Sequence, residues 1–401
     1  ADIRCAHTSI IPREDLREYY MKETVLLPFE MKPIDGKLYI TVNGTMDSTI
    51  RPGDEILLIN DQTAKTVFDR LYRYMWADGY IQSSKKAQLS GVQFGLFYYA
   101  MVERTNTFHL TLRDLKGKKK EVIVNALSYD TIISNFFKNP VNEGIINANK
   151  ERNRKEREAG WRLEILKEPA STAYLRINGF GGGRNGQEAA EKMRVFMDKN
   201  MDTLKKEKIK NLIVDVRNNG GGWDIQGVEL LTYLVKDSTP FRYFRRKHSI
   251  SDSSEFLKYS DLSPEDLANV NKELIPEADG TFTISEEYND DMKIQYPKSN
   301  RFKGNVYILA NGGSGSTTSE FTAVAHSHRV GVFIGEETGG AYEGDNGGSF
   351  MHFTLPNSKI YVGSPLLYYD NGVRPRELKG RGVIPEYPLD APIEDILMGK
   401  D

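Results

Sequence analysis

The first third of the chain alternates apolar and polar residues with the period of two that half-buried strands show. This pattern is present in LYITVN (38–43), TFHLTLR (107–113) and EVIV (121–124). RPGDEILLIN (51–60) has the composition of a turn followed by a buried strand, and residues 66–75 carry apolar side chains at helical spacing. A small β-rich module is therefore predicted at residues 33–127, preceded by a segment of residues 1–32.

In the rest of the chain, apolar strand-like runs alternate with stretches of helical spacing. The strand-like runs are residues 173–177, 209–216, 306–310 and 330–334, and helical spacing occurs at 188–204 and 225–235. Strands separated by helices and glycine turns predict an α/β fold with βαβ-type units. Residues 128–160 are predicted to connect the β-rich module to a core of residues 161–401. The acidic block 247–299 is predicted to be a surface insertion.

The bulk composition excludes several classes of protein. The formal net charge of the 401 residues is −2, so no overall positive field favours a nucleic acid partner. No apolar run approaches the roughly 18 residues of a membrane span. The single cysteine, Cys5, rules out an internal disulfide framework and a cysteine-based zinc site. No motif predicts a metal, a cofactor or an oligomeric state.

The most informative local pattern surrounds Ser316. An apolar strand (306–310) is broken by NGG (311–313), and the serine stands immediately before a stretch of helical spacing. Several hydrolase folds present their nucleophile on such a sharp strand-to-helix turn. The N–H groups at the start of the helix would stabilise a developing oxyanion. The alternative is that Ser316 and its neighbours only cap the helix.

Three further motifs, in this order, resemble those of the tail-specific, or C-terminal-processing, serine peptidases, a family that includes the core of tricorn protease. They are IVDVRNNGGG (213–222), NGGSGSTTSE (311–320) with GEETGG (335–340), and GRGVIP (380–385). RPGDEILLIN resembles part of the PDZ-type domain that these proteins carry. The resemblance implies a crotonase-like spiral of ββα units with an inserted PDZ-like domain. It also implies hydrolysis of polypeptide substrates near their C-termini.

The resemblance further implies an extracytoplasmic location, such as the periplasm. The opening residues ADIRCAHTSII have the character of structured chain rather than of a leader. The numbering is therefore predicted to begin within a longer precursor.

The lysine that tail-specific members pair with their serine is missing. Ala341 stands at its position, and no lysine occurs between Lys303 and Lys359. A serine needs an adjacent base to become a good nucleophile. Tricorn-like members have a histidine just before the PDZ-type domain, and CAHT (5–8) resembles that motif. The resemblance therefore implies His7 as the base.

The other histidines are weaker candidates for the base. His326 is ten residues along the helix, about 15 Å from the serine. His328 lies on the same helix, and both are expected to be surface or packing residues. His248 is expected to lie beside Arg245, Arg246 and Lys247 in an exposed basic run. His352, in a strand after the glycine motif, is not excluded.

The remaining site residues also follow from the resemblance. Glu377 is the candidate that orients the histidine, and its competitors are Glu336, Glu337 and Glu343. The oxyanion hole is expected from the N–H groups of Thr317 and Gly221, with Gly220 or Gly222 as alternatives to Gly221. Counting back from the Ser-Glu pair at 319–320 would make Thr317 the nucleophile instead of Ser316.

Three hypotheses of function follow. The first is a serine peptidase that uses Ser316 and His7. The second is a catalytically silent protein with the same fold that binds peptides or small ligands. The missing lysine is the reason for this hypothesis. The third is an acyl-CoA enzyme of the crotonase type, which rests on fold analogy alone.

Overall fold

The computed structural model describes residues 2–249 and 257–400 and shows a mixed α/β fold with several sheets, as the sequence pattern predicts. In chain order the strands are β1 (Ser9–Ile11), β2 (Val25–Leu26), β3 (Phe29–Ile34), β4 (Lys37–Asn43), β5 (Glu55–Ile59), β6 (Gln62–Thr63), β7 (Thr107–Arg113), β8 (Lys119–Asn125), β9 (Leu127–Ser128), β10 (Trp161–Leu166), β11 (Thr172–Ile177), β12 (Asn211–Asp215), β13 (Phe241–Arg242), β14 (Phe244–Ser249), β15 (Leu274–Pro276), β16 (Phe282–Ile284), β17 (Ile294–Gln295), β18 (Asn305–Ala310), β19 (Val332–Gly335), β20 (Gly344–Thr354), β21 (Tyr361–Asn371) and β22 (Tyr387–Pro388).

The α-helices in the same ranges are α1 (Glu14–Lys22), α2 (Ala64–Tyr72), α3 (Ser83–Gln88), α4 (Gln93–Met101), α5 (Tyr129–Lys138), α6 (Glu143–Glu158), α7 (Gly186–Lys206), α8 (Asp224–Thr232), α9 (Pro264–Glu273), α10 (Thr317–Ser327) and α11 (Ile393–Leu397). None of the helices described here is both long and apolar enough to cross a lipid bilayer.

The β-rich module forms one antiparallel sheet in the order β3-β4-β5-β7-β8, with β6 paired to β5. The alternating runs of the sequence are its strands β4, β7 and β8. Helix α2 begins after Thr63, whose side chain accepts a hydrogen bond from the Thr66 N–H, and it buries Val67 and Leu71. Strand β3 includes residue 33, the predicted start of the module. The predicted domain boundaries stay a prediction.

The core sheet has the order β10-β11-β12-β18-β19-β22. Its strands from β11 to β22 are parallel, and β10 is antiparallel to β11. Helices α7, α8 and α10 supply side chains to the same hydrophobic core. The carboxyl ends of β12 and β18 are adjacent, because Asp215 pairs with Leu309. The two glycine-rich loops that follow these strands therefore meet at one edge of the sheet.

A second sheet joins the N-terminal segment to the core. Its order is β1-β21-β14-β16-β15, with β20 paired to β21. Strand β1 is antiparallel to β21, with Ser9 opposite Gly363. Asp345 of β20 is opposite Tyr369 of β21. Residues near position 7 and near position 345 are thus attached to the same strand.

The predicted exposed basic run at residues 245–247 is wrong at Lys247, which is only 2% exposed. The register of β14 against β21 shifts between Phe244 and Arg246. This irregularity interrupts the usual alternation, so that Phe244 and Lys247 are both buried. Of the predicted surface insertion, α9 is largely exposed but Asp291 is buried. Residues 250–256 of that block lie outside the described residues.

Candidate active site

Ser316 lies at the turn between β18 and α10. Its backbone angles are φ 52° and ψ −133°, a left-handed conformation that serine rarely adopts. Helix α10 begins at Thr317, so Ser316 is the N-cap residue, yet its side chain makes no capping hydrogen bond. The alternative of a capping role for this hydroxyl is therefore wrong. The hydroxyl belongs to a half-buried residue held in a strained turn.

The glycine loop after β12 packs directly against this turn. Gly221 has φ 101°, and a Cβ added there would lie 2.7 Å from Ser316 Cβ and 3.0 Å from the Gly315 oxygen. Only glycine allows this approach and this conformation without strain. The two loops are joined by a hydrogen bond from the Gly315 N–H to the Asn219 oxygen, at 3.0 Å. The Asn219 side chain in turn donates to the Ile177 oxygen at 3.1 Å.

Thr317 is held in a different way from Ser316. Its hydroxyl is fully buried and lies 2.9 Å from the Gly222 oxygen and 2.8 Å from Asp224 Oδ1. A hydroxyl enclosed between two acceptors cannot reach a substrate carbon. The geometry thus favours Ser316 over Thr317 as the nucleophile.

Some N–H groups around Ser316 are free to bind an anion. The described residues contain no hydrogen-bond acceptor for the N–H of Thr317 or Gly222. The N–H of Gly221, in contrast, donates to Asn219 Oδ1 at 2.9 Å. An oxyanion beside Ser316 would meet the Thr317 N–H and the positive end of the α10 dipole. The predicted role of Gly221 in the oxyanion hole stays a prediction. Its N–H already donates a hydrogen bond to Asn219.

His7 belongs to the loop that precedes β1, and hydrogen bonds hold this loop against residues 78–79. The Ala6 N–H donates to Asp78 Oδ1 at 2.7 Å, and the Gly79 N–H donates to the Arg4 oxygen at 3.0 Å. The His7 ring centroid is 5.8 Å from that of Phe350. Its Nδ1 is buried and has no hydrogen-bond partner among the described residues.

Two buried carboxylates accompany His7. One donor atom each of His7, Asp78 and Asp345 lie within 4.8 Å of one another. Burial raises the pKa of Asp78, against smaller opposing effects of the Ala6 N–H and of His7. Burial, with Asp78 and Asp224 as negative neighbours, raises the pKa of Asp345 well above its ordinary value. Neither aspartate has a sequence signal that marks it as part of a site.

This cluster faces the first turn of α10. A Cβ added to Gly340 would lie 2.6 Å from Ser319 Oγ and 3.5 Å from Asp78 Oδ2. Ser319 in turn donates its N–H to the Ser316 oxygen at 2.7 Å. The first residues of the chain and the serine turn are therefore parts of one region.

Glu377 is exposed, in the segment between β21 and β22, and makes no hydrogen bond or ion pair with any residue the structure describes. Its predicted role in orienting the histidine stays a prediction. The carboxylates in the cluster with His7 are those of Asp78 and Asp345. The competing glutamates bind basic side chains. These pairs are Glu336 with Lys86, Glu337 with Arg381 at 2.7 Å, and Glu343 with Arg376 at 3.4 Å.

Lys247 does not replace the missing lysine as a base. Ala341, at the family's lysine position, is buried. Lys247 Nζ donates to Asp224 at 3.0 Å and to Asp291 at 2.8 Å. Burial alone would lower its pKa, but these two carboxylates outweigh burial and raise the pKa well above the ordinary value. A permanently protonated ammonium cannot accept the proton of a serine.

The other histidines that were considered as bases are engaged elsewhere. His326 packs on the rings of Phe333 and Tyr342, and His328 packs on Phe241. Burial lowers the pKa of His326 and of His328. His248 lies 3.3 Å from Asp370, and His352 lies 3.3 Å from Asp261.

A strained serine beside free helix N–H groups is the arrangement that serine hydrolases use. The sequence profile of peptidase family S41 matches residues 171–386, more than half of the chain. The chain therefore belongs to peptidase family S41 and is a serine-type peptidase that acts on polypeptides.

Three solved structures align with most of this chain, and the one with a TM-score above 0.5 supports the fold. Mature CPAF complexed with lactacystin aligns with a TM-score of 0.54 at 16% identity, over 99% of this chain and 83% of that chain. The photosystem II D1 C-terminal processing protease aligns with a TM-score of 0.34 at 15% identity, over 98% and 81%. Tricorn protease aligns with a TM-score of 0.28 at 14% identity, over 94% and 28%. A search of curated protein sequences found no match.

Proposed function

We propose that Ser316 is the nucleophile of this peptidase and that His7 is its general base. The observation that carries the proposal is the N-cap position of Ser316, with φ 52° and no capping bond. A strained backbone that keeps a hydroxyl out of the usual capping contact is favoured where the hydroxyl has another task. The cluster around His7 faces the same helix turn through Asp78 and Gly340.

In this mechanism the His7 imidazole takes the proton of the Ser316 hydroxyl as its oxygen attacks the peptide carbonyl carbon. The negative oxygen of the tetrahedral intermediate receives hydrogen bonds from the Thr317 N–H and from the glycine loop, with Gly222 in place of or beside Gly221. Protonated His7 then gives the proton to the leaving amine. Water, activated by the same histidine, hydrolyses the acyl-enzyme.

Two carboxylates are candidates for the group that orients His7. Asp78 lies within 4.8 Å of His7 and is fixed by the Ala6 N–H. Glu377, the residue implied by the resemblance, is exposed and lies between β21 and β22. We favour Asp78, because a buried carboxylate at this distance stabilises an imidazolium more strongly than a solvated one.

The rest of the proposal concerns architecture and substrate. The parallel core sheet with α7, α8 and α10 supports a crotonase-like spiral over residues 161–401, to which residues 1–32 contribute. The antiparallel sheet over residues 33–127 supports a PDZ-like domain, linked through residues 128–160. A substrate C-terminus would add as a strand to an edge of this sheet, β3 or β8. We also propose that the protein belongs to the tricorn-like subfamily and acts in an extracytoplasmic location such as the periplasm.

A fluorophosphonate probe, which reacts with activated serines, tests the catalytic pair. Labelling is expected in the wild type, absent in Ser316→Ala and strongly reduced in His7→Ala. Ser48→Ala and His109→Ala, which alter exposed residues far along the chain from the site, are the matched controls.

Two outcomes would contradict the proposal. Full labelling of Ser316→Ala would move the nucleophile to another residue, with Thr317 the first to test. No labelling of a folded wild-type protein at any pH between about 6 and 9 would favour the catalytically silent binder, because an imidazole base is active in that range.

A further inference from the structure

The cluster of His7, Asp78 and Asp345 joins three distant parts of the chain. His7 precedes β1, Asp78 precedes α3, and Asp345 belongs to β20. One donor atom of each lies within 4.8 Å of the other two. We propose that these three side chains bind one divalent transition-metal ion, of which zinc is the best candidate, and that this ion inhibits the peptidase reversibly.

The first support is the burial of donor atoms that lack partners. Asp345 is 3% exposed, and neither of its carboxylate oxygens has a hydrogen-bond partner among the described residues. His7 Nδ1 is buried and unpartnered as well. Buried polar atoms without partners are uncommon, because each loses its hydration without compensation. A cation bound between them would satisfy all of these atoms.

The second support is charge. Neither Asp78 nor Asp345 forms an ion pair with any lysine or arginine that the structure describes. Lys247 is a positive neighbour of Asp345, but its own ion pairs are with Asp224 and Asp291. Two buried carboxylates without a cation of their own repel each other. A divalent ion would neutralise both.

The donor set selects the kind of ion. One imidazole nitrogen and two carboxylate oxygens suit zinc, which accepts three protein ligands and leaves a fourth position for water or substrate. Magnesium and calcium prefer all-oxygen sites with more ligands. Three donors around one zinc ion lie about 3–4 Å apart, so side-chain adjustments of about 1 Å complete the site.

The surrounding contacts already fix the ligands. The Ala6 N–H holds Asp78 Oδ1 at 2.7 Å, and β20 is paired with β21 at Asp345. Partners of this kind orient metal ligands and raise affinity. The ion would also attach the N-terminal segment to the core, and would therefore stabilise the folded protein.

The inhibitory part of the inference rests on the proposed role of His7 as the base. An imidazole that binds a metal ion has donated its one basic lone pair, and its other ring nitrogen carries the N–H, so it cannot accept the proton of Ser316. Zinc would therefore suppress the reaction of Ser316, and a chelator would restore it.

The test uses the full chain, freed of metal with a chelator, in two measurements. Calorimetric titration with zinc chloride is expected to show one ion per chain, with an affinity that falls by about tenfold or more in Asp345→Asn and in Asp78→Asn. His352→Ala is the control, because His352 lies beside an exposed carboxylate of Asp261 and could bind zinc adventitiously. Magnesium chloride is expected to show no binding.

The second measurement is fluorophosphonate labelling with and without zinc. The labelling rate of the wild type is expected to fall by about tenfold when zinc is bound. The labelling rate of Asp345→Asn with zinc is expected to equal the rate of the same variant without metal. Wild-type protein that binds no zinc, or aspartate variants that bind it unchanged, would overturn the site. Zinc that binds without slowing the labelling would overturn the inhibition. If the metal-free wild type does not label at all, the proposed base fails, while the titration still decides the site.

Discussion

Replacing Lys247 with methionine removes a buried cation and keeps a side chain of similar length. The ammonium donates to Asp224 and Asp291, and it lies 4.2 Å from the Tyr369 ring centroid and 4.5 Å from that of Phe244. Loss of one partner from a buried ion pair typically costs about 3–5 kcal/mol, because the remaining charge is left without compensation. Here two carboxylates lose their cation, so we expect the free energy of unfolding to fall by about that amount.

The pH dependence of this loss follows from the pKa directions. The pKa of Lys247 is raised, so its contribution is fully present below its ordinary value of 10.5 and is lost only as the pH rises through the higher folded value. In Lys247→Met the pKa of Asp291, already raised mainly by burial, loses its main lowering influence. Carboxylates with raised pKa contribute stability at low pH and lose it as pH rises through the folded pKa. The deficit of the variant should therefore grow with pH.

Urea unfolding followed by circular dichroism at about pH 5 and about pH 8 measures how this deficit changes with pH. Lys116→Met, in an exposed loop, is the control and should unfold like the wild type. The double variant Lys247→Met/Asp291→Asn should recover part of the loss, because one unpaired charge is removed. A deficit under about 1 kcal/mol, or one that shrinks as pH rises, would refute the assignment of Lys247 as a charged partner of these carboxylates.

Three other predictions concern the site. Gly221→Ala should lower kcat/KM about a hundredfold in a peptidase assay, because φ 101° is strained for alanine and the new methyl would lie 2.7 Å from Ser316 Cβ; unchanged kcat/KM would contradict the packing of the two loops. Burial raises the pKa of Glu320 well above 4.5. Glu320→Gln should therefore have the wild-type stability in urea at low pH and a higher stability than the wild type as pH rises. A variant that becomes less stable than the wild type at high pH would show that the Glu320 carboxylate is ionised in the folded protein. Metal-free Asp78→Asn should lower kcat by about a hundredfold or more while Glu377→Gln stays close to the wild type, and the reverse order would return the orienting role to Glu377.

The sequence alone was sufficient where the signal is local. Period-two alternation located β4, β7 and β8, and continuous apolar runs located the core strands β12, β18 and β19. The turn at Ser316 was also readable, because a glycine break between a strand and a helix is a local pattern. Its left-handed φ was not readable, since capping serines share the same sequence signature.

Contacts between distant segments were beyond the reach of the sequence. Strands β1 and β20 both pair with β21, which attaches the loop of His7 and the strand of Asp345 to one sheet, and Asp78 is joined to that loop by the Ala6 N–H. Isolated aspartates beside glycine are usually turn residues, so neither Asp78 nor Asp345 carries a sequence signal of a site. The burial of Lys247 depends on a local register shift in β14, and three consecutive basic residues normally indicate an exposed surface.

The missing lysine is best understood together with the N-terminal segment. If the family's base were simply lost, apolar side chains would be expected to close the space beside the serine helix. Instead, the backbone at Gly340 packs between Ser319 and the Asp78 carboxylate, which also accepts the Ala6 N–H. Two of the three side chains in the cluster beside this turn, His7 and Asp78, therefore come from the first eighty residues. They are held there by the three-residue strand β1 and a few backbone hydrogen bonds, so the proposed base is present only while this short segment is docked on the core.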